Sequence, residues 1–152
     1  MHTIFTETEI TSSPENIWNI LTDFEAYTIW NPLITHATGI AQVGTIINIT
    51  VQQKSGKKMK FLPKILIAQQ NEELRWIGKL FTKGLFAGEH YFRIERLEKN
   101  HVRFIHGEIF TGVLVRTQKK MLAELEQGFV EMNLALKRRA EAMDKLKFVI
   151  KM

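Results

Sequence analysis

Residues 88–110 read GEHYFRIERLEKNHVRFIHGEIF, two alternating runs joined by Lys99 and Asn100. Alternation with period two over this length is the signature of a strand, and two such runs around a short polar turn predict an antiparallel hairpin. In the first run the set Phe86, His90, Phe92 and Ile94 carries more apolar bulk than Glu89, Tyr91, Arg93 and Glu95, so the first set is expected to face the core. In the second run Val102, Phe104, His106, Glu108 and Phe110 form the expected inner set, against His101, Arg103, Ile105, Gly107 and Ile109. If the turn at Lys99 and Asn100 sets Arg96 opposite Val102, then Ile94 faces Phe104, Phe92 faces His106 and His90 faces Glu108. A similar count across the loop between Leu80 and Leu85 brings Trp76 to His90. Two histidines and a carboxyl group are thus predicted on an aromatic wall.

Outward from this hairpin, residues 3–11 alternate as a strand and stop at Ser13 and Pro14, an N-cap and first-turn pair that opens a short helix with Ile17, Trp18 and Leu21 on one face. Asp23 precedes a second short helical segment, FEAYTIW, which Asn31 and Pro32 end. Further strands are predicted near 35–40, 45–53, 58–69, 73–80, 85–97 and 101–111. From 115 to 143 the period becomes helical, with Leu122, Leu125, Phe129, Met132 and Leu136 on one stripe, and the KLKFVIKM tail is expected as a frayed extension. The order of strand, two short helices, a run of hairpin strands and one long helix predicts an α+β fold with the sheet's apolar face laid on the last helix.

The 152 residues are 45% hydrophobic, enough for one compact domain spanning 1–152 with its own core. The absence of cysteine excludes disulfides and thiolate chemistry and suits a cytoplasmic setting. The start of the chain lacks the pattern of a secretion signal, and no run approaches the roughly 18 apolar residues of a membrane span. Twenty-one basic against 16 acidic residues leave a net charge of +5, spread over small groups and without the basic and aromatic interleaving that would bind nucleic acid. The basic groups and the tail leave contact with an anionic membrane surface open as a further reading. TKGLFAG lacks the spacing and context of a phosphate loop, no nucleophile elbow is present, and no cofactor is expected.

Three segments in order, EITSSPENIWNILTDFEAYTIWNPLI, LRWIGKLFTKGLFAGEHYFRIE and GEIFTGVLVR before a long helix, resemble the START-like or SRPBCC superfamily, in its polyketide cyclase/dehydrase-like group. The resemblance spans residues 4–143. It implies a helix-grip fold like that of the birch pollen allergen, a curved antiparallel sheet wrapped around a long C-terminal helix with an internal apolar cavity. It also implies a hydrophobic small-molecule partner such as a lipid, sterol, polyketide, hormone or quinone. Within such a fold Trp30 and Pro32 are expected at one lip of the cavity. Trp76, Phe92, Phe104, His106, Phe110, Met121, Leu125, Phe129 and Met132 are expected around it, the Met and Phe side chains adapting to a variable ligand.

His90 and Glu108 admit two readings. A buried histidine beside a glutamate can be a mutually satisfied pair that fixes strand register. The same pair facing a cavity can serve as an acid/base couple for cyclisation or dehydration, because imidazole titrates near neutral pH and a carboxyl group can orient its tautomer. His90, His106 and Glu108 have the residue types of a two-histidine, one-carboxylate metal site, but neighbours on a flat antiparallel wall rarely converge on one point, so no metal is expected. The leading expectation is a carrier or sensor of an apolar or amphipathic molecule, with a cyclase or dehydratase as the alternative.

Overall fold

The computed structural model describes residues 1–80 and 84–152. In chain order it contains β1 (His2–Ile10), α1 (Pro14–Thr22), a 3-10 turn (Phe24–Ala26) running into α2 (Tyr27–Trp30), β2 (Ile34–Thr38), β3 (Asn48–Gln52), β4 (Lys58–Phe61), β5 (Lys64–Gln69), β6 (Glu73–Leu80), β7 (Phe86–Glu98), β8 (His101–Thr111), a second 3-10 turn (Val115–Thr117) and α3 (Lys119–Lys151). The architecture is α+β, with short helices after the first strand, a curved antiparallel sheet in the order β1-β8-β7-β6-β5 and the long helix laid across it. A smaller sheet, β2-β3-β4, adjoins it.

Local chemistry sets these boundaries. Ser13 caps α1 by accepting a hydrogen bond from the Asn16 backbone N–H at 3.1 Å, and Pro14 occupies a first-turn position where no amide hydrogen is needed. Asn31 ends α2 and starts β2, because its Oδ1 accepts from the N–H groups of Leu33 (3.0 Å) and Ile34 (2.9 Å). The buried Tyr27 hydroxyl donates to the Leu21 carbonyl, and burial, with Asp23 nearby, holds its pKa far above the usual phenol value.

The register of β7 and β8 is the one expected from setting Arg96 opposite Val102: Arg96 pairs with Val102, Phe92 with His106 and His90 with Glu108. A bulge at Leu97 separates the Arg96 pair from the terminal Glu98 and His101 pair. Trp76 pairs with His90 across β6 and β7, while residues 81–83, within the loop over which that register was counted, lie outside the described residues. Phe86, His90, Phe92, Ile94, Val102, Phe104, His106 and Phe110 are all buried on the inner face. Tyr91, on the outer set, is buried as well: it lies over Gly107, where any side chain would collide with its ring, and the Arg75 guanidinium sits 4.6 Å from its ring centre.

Two expectations change. The strand expected over 58–69 is two strands in different sheets, broken at Leu62 and Pro63. Pro63 has no N–H to donate to a ladder, and its carbonyl instead accepts from Ile47 N at 2.9 Å, tying the smaller sheet to the larger. The tail expected to fray continues α3 as far as Lys151, with Leu146, Phe148, Val149 and Ile150 exposed. No helix among the described residues is long and apolar enough to cross a membrane.

Candidate functional site

The two sheets and α3 enclose a cavity of about 410 Å³. The larger sheet contributes Trp76, Gly78, Phe86, Gly88, His90, Glu108 and Phe110. The smaller sheet contributes Ile49, Val51, Met59 and Phe61, α3 contributes Met121, Leu125 and Phe129, and Pro32 to Ile34 fill one corner. Exposed Lys54 and Glu131, with the half-buried Glu124, stand among the lining residues where the cavity opens.

Eight of the residues expected at the site therefore line the cavity: Pro32, Trp76, His90, Glu108, Phe110, Met121, Leu125 and Phe129. Phe92, Phe104, His106 and Met132 do not; each is 0% exposed in the solid core beyond it. The division follows the direction of the strands. Toward the Lys99 and Asn100 turn, α3 packs directly on the sheet through Met132 and Leu136, while toward Phe86 and Phe110 a gap remains. Trp30 is also outside the cavity. It packs edge-on against Tyr27, 5.3 Å between ring centres, and lines a shallow outer groove with Ala135, Arg138 and Met143. The Asx turn at Asn31 sends Pro32 and Leu33 inward and leaves Trp30 on the flank of α3.

His90 and Glu108 lie at the inner end of the cavity, the His90 Nδ1 3.2 Å from Glu108 Oε2, with side chains 7% and 13% exposed. Trp76 stacks on the His90 ring at 5.0 Å, and Phe129 on the His106 ring at 4.0 Å with the planes 5° apart. His90 Nε2 is 2.7 Å from His106 Nε2, and His106 Nδ1 is 2.8 Å from Asn133 Oδ1 on α3. Burial pushes His90 down to about 3 and Glu108 up to about 8, so near neutral pH both are uncharged. Burial also holds His106 well below the ordinary histidine value, its neighbour His90 lowers it further, and the hydrogen bond to Asn133 works the other way. An uncharged carboxyl group in an apolar cavity can hydrogen-bond a ligand, or exchange a proton with it.

Asn133 and Thr6 were not expected at the site. Asn133 follows Phe129 by four residues and so lies on the apolar stripe of α3, where a polar residue at a core position is itself a signal of a buried network. Thr6 gave none, since threonine is ordinary in a strand. The β3 and β4 contribution was hidden because those strands were predicted without an assigned inner face. No group of three or more potential metal ligands is assembled among the described residues.

No family model and no curated protein matches the chain. Solved structures do. A START superfamily protein from Mycobacterium smegmatis is 21% identical with a TM-score of 0.73, covering 94% of this chain and 99% of that one. The Zhui aromatase/cyclase from a Streptomyces species is 13% identical with a TM-score of 0.74, covering 92% and 93%. Ara h 8.0201 is 15% identical with a TM-score of 0.68, covering 93% and 98%. At such identities what is shared is the fold, so the chain has the helix-grip fold seen in these START superfamily, aromatase/cyclase and Ara h 8 structures.

Proposed function

We propose that this chain binds an apolar or amphipathic small molecule, lipid-, polyketide- or quinone-like, in the cavity between sheet and helix, as a carrier or sensor. The observation that carries the reading is the cavity itself: about 410 Å³, walled by Trp76, Phe86, Phe110, Phe129 and aliphatic side chains, with one carboxyl group at its inner end. That volume lies within the roughly 300–1,000 Å³ of small-molecule pockets, and a mostly apolar wall with few polar groups is their usual composition.

Leu125 is half-buried and lines the cavity from α3, so Leu125→Trp adds bulk into the gap without opening a core void. Uptake of an apolar fluorescent probe should fall at least tenfold in this variant while its circular dichroism is unchanged. Undiminished uptake would place the probe elsewhere and remove this reading. Native mass spectrometry of freshly purified protein, followed by solvent extraction, identifies any carried molecule.

One observation favours a second reading. The His90 and Glu108 pair stands in the cavity lining, where an acid/base couple for cyclisation or dehydration of a polyketide-like substrate would have to be, and a structural neighbour is an aromatase/cyclase. Turnover separates the two: a cyclase converts a poly-ketone substrate and loses that turnover in His90→Ala while keeping probe binding, whereas a carrier shows no turnover in the unmodified chain and keeps probe binding within a few-fold in His90→Ala.

A further inference from the structure

A single-direction hydrogen-bond chain runs from β1 through α3 to the cavity. The Thr6 hydroxyl donates its one hydrogen to the His106 backbone carbonyl at 2.7 Å. Its oxygen is then left to accept from Asn133 Nδ2 at 2.8 Å, which fixes the amide orientation and turns Asn133 Oδ1 toward His106. An amide oxygen only accepts, so His106 Nδ1 carries a hydrogen. The Nε2 to Nε2 contact with His90, at 2.7 Å, must hold one further hydrogen, and Glu108 Oε2, 3.2 Å from His90 Nδ1, is near enough that one of the two has to carry a hydrogen to avoid facing lone pairs.

Four placements of hydrogens satisfy these contacts, and the one that would need an imidazolate at His90 beside an imidazolium at His106 is discarded, leaving three. In one, every group is neutral: Glu108 donates to His90 Nδ1, and His90 Nε2 donates to His106 Nε2. The other two set a Glu108 carboxylate against an imidazolium at His90 or at His106. His90 is 5% and His106 0% exposed, and a charge at either site is costly without the water it has lost. Lys54, Glu124 and Glu131, the other charged groups among the lining residues, lie at the opening and not against the pair. The neutral placement spends the Glu108 hydrogen on His90 and leaves Oε1 as a carbonyl-type acceptor. Oε1 has no partner among the described residues and lies beside Gly88, where a Cβ would strike it.

We infer that Thr6, Asn133, His106 and His90 form a positioning relay that keeps Glu108 a neutral carboxylic acid whose Oε1 accepts from the ligand, so that the cavity selects apolar molecules bearing an alcohol or phenol hydroxyl and rejects carboxylates. The inference rests on the cavity being the binding site, and goes beyond it in naming the ligand's polar group.

Histidine-selective nitrogen NMR of the full chain reads the relay directly. Near pH 6.5 His90 should carry hydrogen only on Nε2 and His106 only on Nδ1; an imidazolium at either ring, or a reversed tautomer, overturns the inference. Fluorescence titration with naphthalene, 2-naphthol and 2-naphthoate reads the selectivity. One added hydrogen bond predicts 2-naphthol binding up to about tenfold tighter than naphthalene. Burial of an anion predicts 2-naphthoate at least about tenfold weaker than 2-naphthol. Glu108→Leu should erase the naphthol advantage and keep naphthalene binding, which also reports an intact cavity. Glu108→Gln, whose amide can donate to His90 and still accept from the ligand, should restore the advantage. Equal affinity for naphthol and naphthalene, or tight naphthoate binding, overturns the inference and leaves the cavity reading standing; failure of all three probes removes both.

Discussion

At the scale of single residues, the three buried titratable groups at the cavity's inner end set a pH profile for stability. The unfolded chain takes up protons on His90 and His106 as pH falls below 6.5, and the folded chain resists both, holding His90 down to about 3, so acid favours unfolding. Glu108 works in the opposite sense. Its ordinary value is 4.5 and its folded value about 8, so between these the folded chain keeps a proton that the unfolded chain has lost, and stability declines as pH rises. Below 6.5 two histidines outweigh one carboxyl group, while from 6.5 to 8 the carboxyl group acts alone. Stability from these groups should therefore peak near pH 6.5 and fall on both sides, each unopposed group contributing a slope of about 1.4 kcal/mol per pH unit. Thermal unfolding from pH 4 to pH 9 checks this, and Glu108→Gln should flatten the alkaline side while steepening the acid side between pH 4.5 and 6.5, where the carboxyl group no longer offsets one of the histidines. An alkaline side equally steep in that variant would assign the slope to another group. Much of this cluster was legible beforehand, because period two assigns the faces and the turn brings the two strands together, but it is the one-residue bulge at Leu97 that carries the register from the Glu98 and His101 pair to His90 opposite Glu108. What counting could not supply is depth. His106 shares the inner face with Glu108, yet only the seating of α3 over Phe104 and Phe92 makes one a cavity group and the other a core group.

At the scale of elements, sequence pattern located strands well and misjudged their partners. A run of alternating residues from Lys58 to Gln69 carries no local mark of which sheet each half joins; Pro63 marks the break, and its meaning depends on Ile47 arriving to use its carbonyl. Trp30 was misplaced for a related reason, since a two-residue turn decides on which side of α3 a side chain emerges. The β7 and β8 pair also contains a constraint that pattern alone does not show. Gly107 is opposite Tyr91, and a methyl group there would meet the Tyr91 ring and, at 2.7 Å, the Ile4 backbone carbonyl on β1. Backbone on one side and a ring pinned by Arg75 on the other leave little room to adjust. Gly107→Ala should cost about 2–3 kcal/mol by overpacking, measured by urea denaturation. A loss below about 0.5 kcal/mol would mean that β1 and Tyr91 move aside freely. The last turns of α3 should behave oppositely, because residues 145–152 are exposed and Ala140 is the last fully buried residue of the helix.

At the scale of the whole molecule, the cavity is a joint product of elements far apart in sequence: β3 and β4, the ends of β6 to β8, and the first turns of α3. None of them closes it alone, so a bound molecule would bridge all three. A ligand that binds only the folded chain stabilises it by mass action, about 2.7 kcal/mol at a free concentration one hundred times its Kd. For a chain of 152 residues this raises the unfolding midpoint by about 5–10 °C. The expected outcome is a concentration-dependent rise in Tm with 2-naphthol, smaller with naphthalene at equal concentration and absent in Leu125→Trp. Because Leu125→Trp occupies the same gap, its Tm without ligand should match or exceed that of the unmodified chain. A ligand-induced rise that persists in Leu125→Trp would locate binding outside the cavity, with the groove beside Trp30 as the next place to test by substitution at Arg138 or Met143.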